Sequence, residues 1–191
     1  MYLHFFRLIY RKRFKKLGVK SYLYDPLAIN GADNISIGDG VYIGYKSWLA
    51  AVAHTGSVTC KLEIGNGSNI GNYNHIYATQ SIIIGKDVLT ADKVYISDNL
   101  HSYQDIKLPI IKQPIKQLRV VIIGDGAWLG ENVCIIGANV GRNSVIGANA
   151  VVTKDIPDYC IAVGSPAYVI KKFCFERQQW IKTNKRGNFI E

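Results

Sequence analysis

Four histidines, His4, His54, His75 and His101, are the side chains of this 191-residue chain best suited to proton transfer or metal ligation near neutral pH. Their spacing argues against a metal centre. His54 to His75 is 21 residues and His75 to His101 is 26, and no His-x4-His pair occurs. Cys60, Cys134, Cys160 and Cys174 form no CxxC or Cys/His cluster, and read as reduced thiols of a cytoplasmic protein. No metal is expected. His101 stands apart because it lies where a regular sequence rhythm stops, at the start of residues 99–119. An imidazole there can take a proton from an attacking group and return it to a leaving group. Neither GxxxxGK[ST] nor a strand-GxGxxG-helix pattern occurs, so neither ATP nor a dinucleotide is expected.

The element that must position His101 is written in that rhythm. Ile37-Gly38, Ile43-Gly44 and Leu49-Ala50 fall six residues apart. Ile64, Ile70 and Ile76 repeat the step, followed by Ile84, Thr90 and Ile96, by Ile123, Leu129 and Ile135, and by Val140, Ile146 and Val152. A six-residue step fits neither a helix nor a plain alternating strand. It fits three short strands per turn, each sending one aliphatic side chain inward, with a small residue where the chain rounds the corner. One step, Ile135 to Val140, is five residues through "IIGANV", as if that corner had lost one. The repeat predicts an all-β parallel helix of about five coils over residues 33–157.

This pattern resembles the hexapeptide-repeat family, which implies a left-handed winding. "ISDNLHSYQD", "PIIKQPI", "VIIGDGAWLGENV" and "VTKDIPDYCIAVGSPAYVIKKFCFERQQW" are similar to segments of its sugar O-acetyltransferase branch, and most like enzymes that modify lipopolysaccharide O-antigen and capsule. The resemblance implies an acetyl-CoA-dependent O-acetyltransferase, a homotrimer acting on a sugar or glycan acceptor, with His101 as catalytic base. Members of that branch often read Asp-His-Asn-His; here Asn99 and Leu100 fill the middle, and the last histidine is kept as His101. Asp98, or a main-chain carbonyl, is the expected orienter of His101. Trp128 is expected against the acceptor or donor, or else in a subunit contact. Asn72 and His75 are candidate acceptor contacts, and Asp98 belongs with them. Carried over from the family, Gly130, Ala148, Thr153, Lys154 and Lys171 line the acetyl-CoA groove, while Tyr168 occupies a position that is basic in relatives. An acetyltransferase of a small sugar or drug, of the streptogramin and chloramphenicol type, is the alternative. A zinc-dependent lyase like the gamma-class carbonic anhydrases is a more distant one.

The ends differ from the body. The net charge of +9 divides into +7 for residues 1–20 and +4 for 171–191, which leaves −2 for 21–170. Leu3, Phe6, Tyr10, Phe14 and Leu17 recur at three or four residues, so 1–20 is expected as a basic amphipathic helix. It could pack on the first coil or rest on anionic lipid, where a lipid-linked acceptor would be met. Residues 21–170 form the expected β-helix domain with its loop 99–119, and 171–191 a basic tail with a short helix from Phe175 to Lys182. The near-neutral body does not suit nucleic acid. Apolar residues precede the basic ones at the N-terminus, reversing export-signal order, and no run is long enough for a membrane span, so a cytoplasmic protein is expected, peripheral to the membrane at most.

Overall fold

A computed structural model describes residues 10, 12–184 and 187–190. The chain winds through three faces and returns, each strand of the coil pairing in parallel with its counterpart on the same face one coil later. The first face runs Lys16–Leu17, Ile35–Ile37, Lys61–Ile64, Ser81–Ile84 and Val121–Ile123, and single bridges extend it through Val140 to Ile156. The second begins with Tyr22–Leu23 and continues through Tyr42–Ile43, Asn69–Ile70, Leu89–Thr90, Trp128–Leu129 and Val145–Ile146 to Cys160–Val163. The third holds six strands, from Ala28–Asn30 to Val151–Val152. Ile37, Ile43, Leu49 and their counterparts in later coils are buried in a single continuous core. The six-residue step thus fixes which side chain of each strand enters the interior.

The corners explain the small residues and the acids beside them. A Cβ on Gly65 would lie 2.5 Å from the carbonyl carbon and oxygen of Gly85 one coil on, so stacked coils approach too closely for any side chain there. The next residue is often Asn or Asp, and its side chain accepts a main-chain N–H from the preceding coil. Val19 donates to Asp39 at 2.7 Å, Asp39 to Asn66 at 2.9 Å and Lys86 to Asp125 at 2.8 Å. Each coil therefore caps its neighbour.

Three expectations are corrected. The coil count rises, because Leu17-Gly18, Leu23 and Ile29 already follow the six-residue step and Lys16–Asn30 forms a coil before the first one expected. Phe14 and Leu17 are buried in that core, so 16–20 are not helical; residues 1–9 and 11 of the expected helix lie outside the described residues. The C-terminal helix is a hairpin instead. Tyr168–Cys174 pairs antiparallel with Cys160–Val163, turns at 175–178, where Gln178 has φ +49°, and returns as Gln179–Lys182. The rings of Phe173 and Trp180 meet across it at 5.6 Å, and this cross-strand pairing outweighs the weak helical preference.

Residues 99–119 leave the third face as an antiparallel hairpin, Asn99–His101 against Ile115–Gln117. Its outer part is held from within. The buried Gln113 amide donates to the Asp105 and Leu108 carbonyls at 2.9 and 3.0 Å. Tyr103, Ile106 and Ile111 remain exposed.

Candidate active site

His101 ends the first hairpin strand, opposite Ile115, with its side chain exposed. The strand is anchored immediately before it. Asp98 is fully buried, and its oxygens accept the N–H groups of Thr79, Gln80 and Ser81, each at 2.8 Å. The Asn99 amide adds a fourth bond at 3.1 Å, and the Thr79 hydroxyl lies 2.9 Å away. Asp98 thus neither touches an acceptor nor orients the His101 ring, correcting both expectations. Its carboxylate fastens the hairpin to the preceding coil.

Asn72 is likewise committed to the framework. Its carbonyl oxygen accepts Tyr45 N–H at 2.8 Å, and its amide donates to Asp92 at 3.1 Å, as at the other corners. It serves the corner and remains half-exposed. His75 does lie on the outward side of the third face, but its ring stacks on Trp48 at 4.2 Å and 7° and tilts against Tyr95 at 5.2 Å. Burial holds its pKa below the ordinary imidazole value, so it stays neutral, and its buried Nε2 has no partner. His75 is part of an aromatic stack.

Trp128 is exposed on the second face, in register with Leu89 on one side and Val145 on the other. The same row continues through Ile161 to Lys171. Gly130 and Ala148 stack at the next corner, where a Cβ on Gly130 would lie 2.7 Å from Ala148 N. Thr153 and Lys154 are exposed after the last strand of the third face, beside Asp155, which pairs with Arg119 at 2.6 Å. The fold therefore gathers Trp128, Gly130, Ala148 and Lys171 along one side. It sets His101 on the hairpin leaving another.

One part of the neighbourhood was missed. Leu49 to Ile64 is fifteen residues where Ile76 to Ile84 is eight, and this excess is a second projecting loop, residues 52–60. Its base closes over Ala78, whose carbonyl accepts from Val52 N at 3.1 Å and Cys60 Sγ at 3.3 Å. His54 Nε2 lies 2.5 Å from the Tyr77 hydroxyl, and the Thr55 hydroxyl donates to the Gln117 side chain. The spacing was legible; the partners were not, since they come from other coils. Among the described residues no three His, Cys, Asp or Glu side chains converge on a point, so the zinc alternative has no donor set there. No helix among them is long and apolar enough to cross a membrane.

Stacked six-residue steps, glycine corners and a hairpin carrying an exposed histidine define a hexapeptide-repeat protein. Residues 120–154 match the family model described as hexapeptide repeat of succinyl-transferase. WbbJ of Escherichia coli K12, assigned by its name to lipopolysaccharide biosynthesis as an O-acetyl transferase, is 38% identical over 59% of this chain and 61% of its own. A maltose O-acetyltransferase from Clostridium difficile is 30% identical over 87% of this chain and 73% of that one, with a TM-score of 0.52. AntD, an N-acyltransferase from Bacillus cereus solved with dTDP and coenzyme A, is 20% identical over 90% of both chains, with a TM-score of 0.75, and shows the shared fold. The chain belongs to the hexapeptide-repeat acyltransferase family. It spans about half the length of the curated relatives it matches.

Proposed function

We propose that the protein is an acetyl-CoA-dependent O-acetyltransferase that modifies a sugar hydroxyl of a cell-surface polysaccharide precursor, with His101 as general base. The observation that carries this reading is an exposed histidine, fastened by Asp98, where the family's repeat opens into a hairpin. The relatives' names support the sugar acceptor and, through WbbJ, the polysaccharide. In the reaction His101 takes the hydroxyl proton as the sugar oxygen attacks the thioester carbonyl carbon. The tetrahedral adduct collapses, the C–S bond breaks, and the imidazolium returns its proton to the departing sulfur.

Within one chain His101 and Trp128 occupy different sides of the coil. The reading therefore includes a homotrimer of left-handed helices, in which the hairpin of one subunit covers the Trp128 side of the next. Exposed Tyr103, Ile106 and Ile111 suit that contact. Acetyl-CoA would lie along the row from Trp128 to Lys171, three strand spacings or about 14 Å. Gly130 and Ala148 would admit its arm, Thr153 would line the groove, and Lys154 and Lys171 would meet its phosphates. Tyr168 supplies no charge there. The basic segment 1–20 would hold the enzyme at the inner membrane face, near a lipid-linked acceptor.

Replacing His101 with Ala is expected to lower transfer by about 10²- to 10⁴-fold while leaving CoA binding, read by thermal shift, unchanged. Full turnover by that variant would overturn the mechanism. Mass spectrometry of surface glycan from a strain lacking the protein should show a lost acetyl group.

A further inference from the structure

The loop 52–60 is not needed to build the coil. One turn later the chain crosses the same corner between Ala78 and Ser81 with only Thr79 and Gln80. Yet the loop is fixed tightly, and to one place. The side-chain oxygen of Gln117 accepts from Thr55 and lies 2.8 Å from the Thr79 hydroxyl, while its amide donates to Asp98 O at 2.8 Å. Gln117 is the cross-strand partner of Asn99, two residues before His101. The Asn99 amide reaches down to the Tyr77 carbonyl at 3.3 Å, and residues two apart in a strand share a side. His101 therefore leaves the hairpin on the side where Tyr77 and the loop lie.

We propose that loop 52–60 is the second wall of the acceptor site, and that the hydrogen-bonded pair His54–Tyr77 selects and positions the sugar hydroxyl presented to His101. This rests on the acetyltransferase reading. The pair suits a polyol. If Tyr77 donates to His54 Nε2, the imidazole keeps an Nδ1–H donor and the phenol oxygen keeps acceptor lone pairs; in the other tautomer these capacities exchange. Adjacent sugar hydroxyls, each both donor and acceptor, can bridge the two groups. The His54 side chain is exposed, so nothing in the core uses it. Thr55 holds the loop at a set distance from the hairpin base, which is how a wall discriminates among epimers whose hydroxyls differ in direction.

The test uses the full chain with His54→Ala, Tyr77→Phe and, as a control outside the loop, Val19→Ala, a position 61% exposed. Acceptors are the methyl glycosides of galactose, glucose, N-acetylglucosamine and rhamnose. Each pair variant should raise the acceptor KM about tenfold, the scale of one lost hydrogen bond to substrate, and alter the order of preference among glycosides. The KM for acetyl-CoA, its slow hydrolysis without acceptor, and the control should stay at wild-type values. An unchanged acceptor KM, or an equal rise for acetyl-CoA, overturns the proposal. Saturation-transfer NMR with the same glycosides separates it from the reading beneath. Binding that depends on His54 without any acetyl transfer would sink the transferase reading and keep the wall; transfer with normal KM in both variants does the reverse.

Discussion

Asp98 shows how a residue of the right type for chemistry can serve another end. A buried carboxylate surrounded by donors is costly to alter, because removal leaves three main-chain N–H groups without acceptors. Asp98→Ala is expected to lose about 3–5 kcal/mol in urea unfolding, and Asp98→Asn a comparable amount, since its amide turns a donor toward donors. A residue that merely oriented His101 would lower activity and spare stability. Nearby, burial and the charge of Asp98 push the Cys60 thiol up to about 11. Iodoacetamide at pH 8 should therefore spare Cys60 while alkylating the half-exposed Cys134 and Cys174. The unfolded thiol ionises near 9 and the folded one near 11, so this group favours the folded state fully below pH 9 and loses that contribution as pH rises toward 11. His101 was legible because its neighbours form a motif. The task of Asp98 was not, because its donors come from Thr79–Ser81, a coil earlier in sequence.

At the scale of elements, two glycines separate the reasons a corner excludes side chains. Gly65 has no positive φ, yet a Cβ there would meet backbone at 2.5 Å; Gly40 has φ +65° with open space around it. Gly65→Ala should therefore cost about 3 kcal/mol or more through forced separation of two coils. Gly40→Ala should cost only about 1–2 kcal/mol of backbone strain. Equal shifts in melting temperature would show that coil stacking is looser than the contacts imply. The same contrast explains what the sequence reveals of the elements. Coils with an aliphatic residue before a stacked glycine are plain, since few other structures demand that pair. The first coil was hidden because Phe14 and Leu17 also satisfy a helical spacing, and the strand won by adding Leu17 to a core already present. The C-terminal hairpin was hidden because its order comes from pairing with Cys160–Val163 and from the Phe173–Trp180 contact, neither of which leaves a local pattern.

For the whole molecule, the proposed site joins His101 to the Trp128 side of a neighbouring subunit, which would make assembly part of the chemistry. On the proposed reading, a closed ring of three lets every hairpin cover a neighbour's Trp128 side. Sedimentation should then give three times the 21.3 kDa chain. A sharper test mixes two inactive proteins. His101→Ala removes the base but keeps the Trp128 row, whereas Trp128→Ala keeps the base and removes the row. Denatured together and refolded at equal ratio, random trimers should place an intact His101 beside an intact neighbouring Trp128 in about one site in four. Activity should rise from near zero to about a quarter of the wild-type value. Each variant refolded alone supplies the baseline. If each site were built within one subunit, no mixture could join the two intact halves, and activity would stay at that baseline.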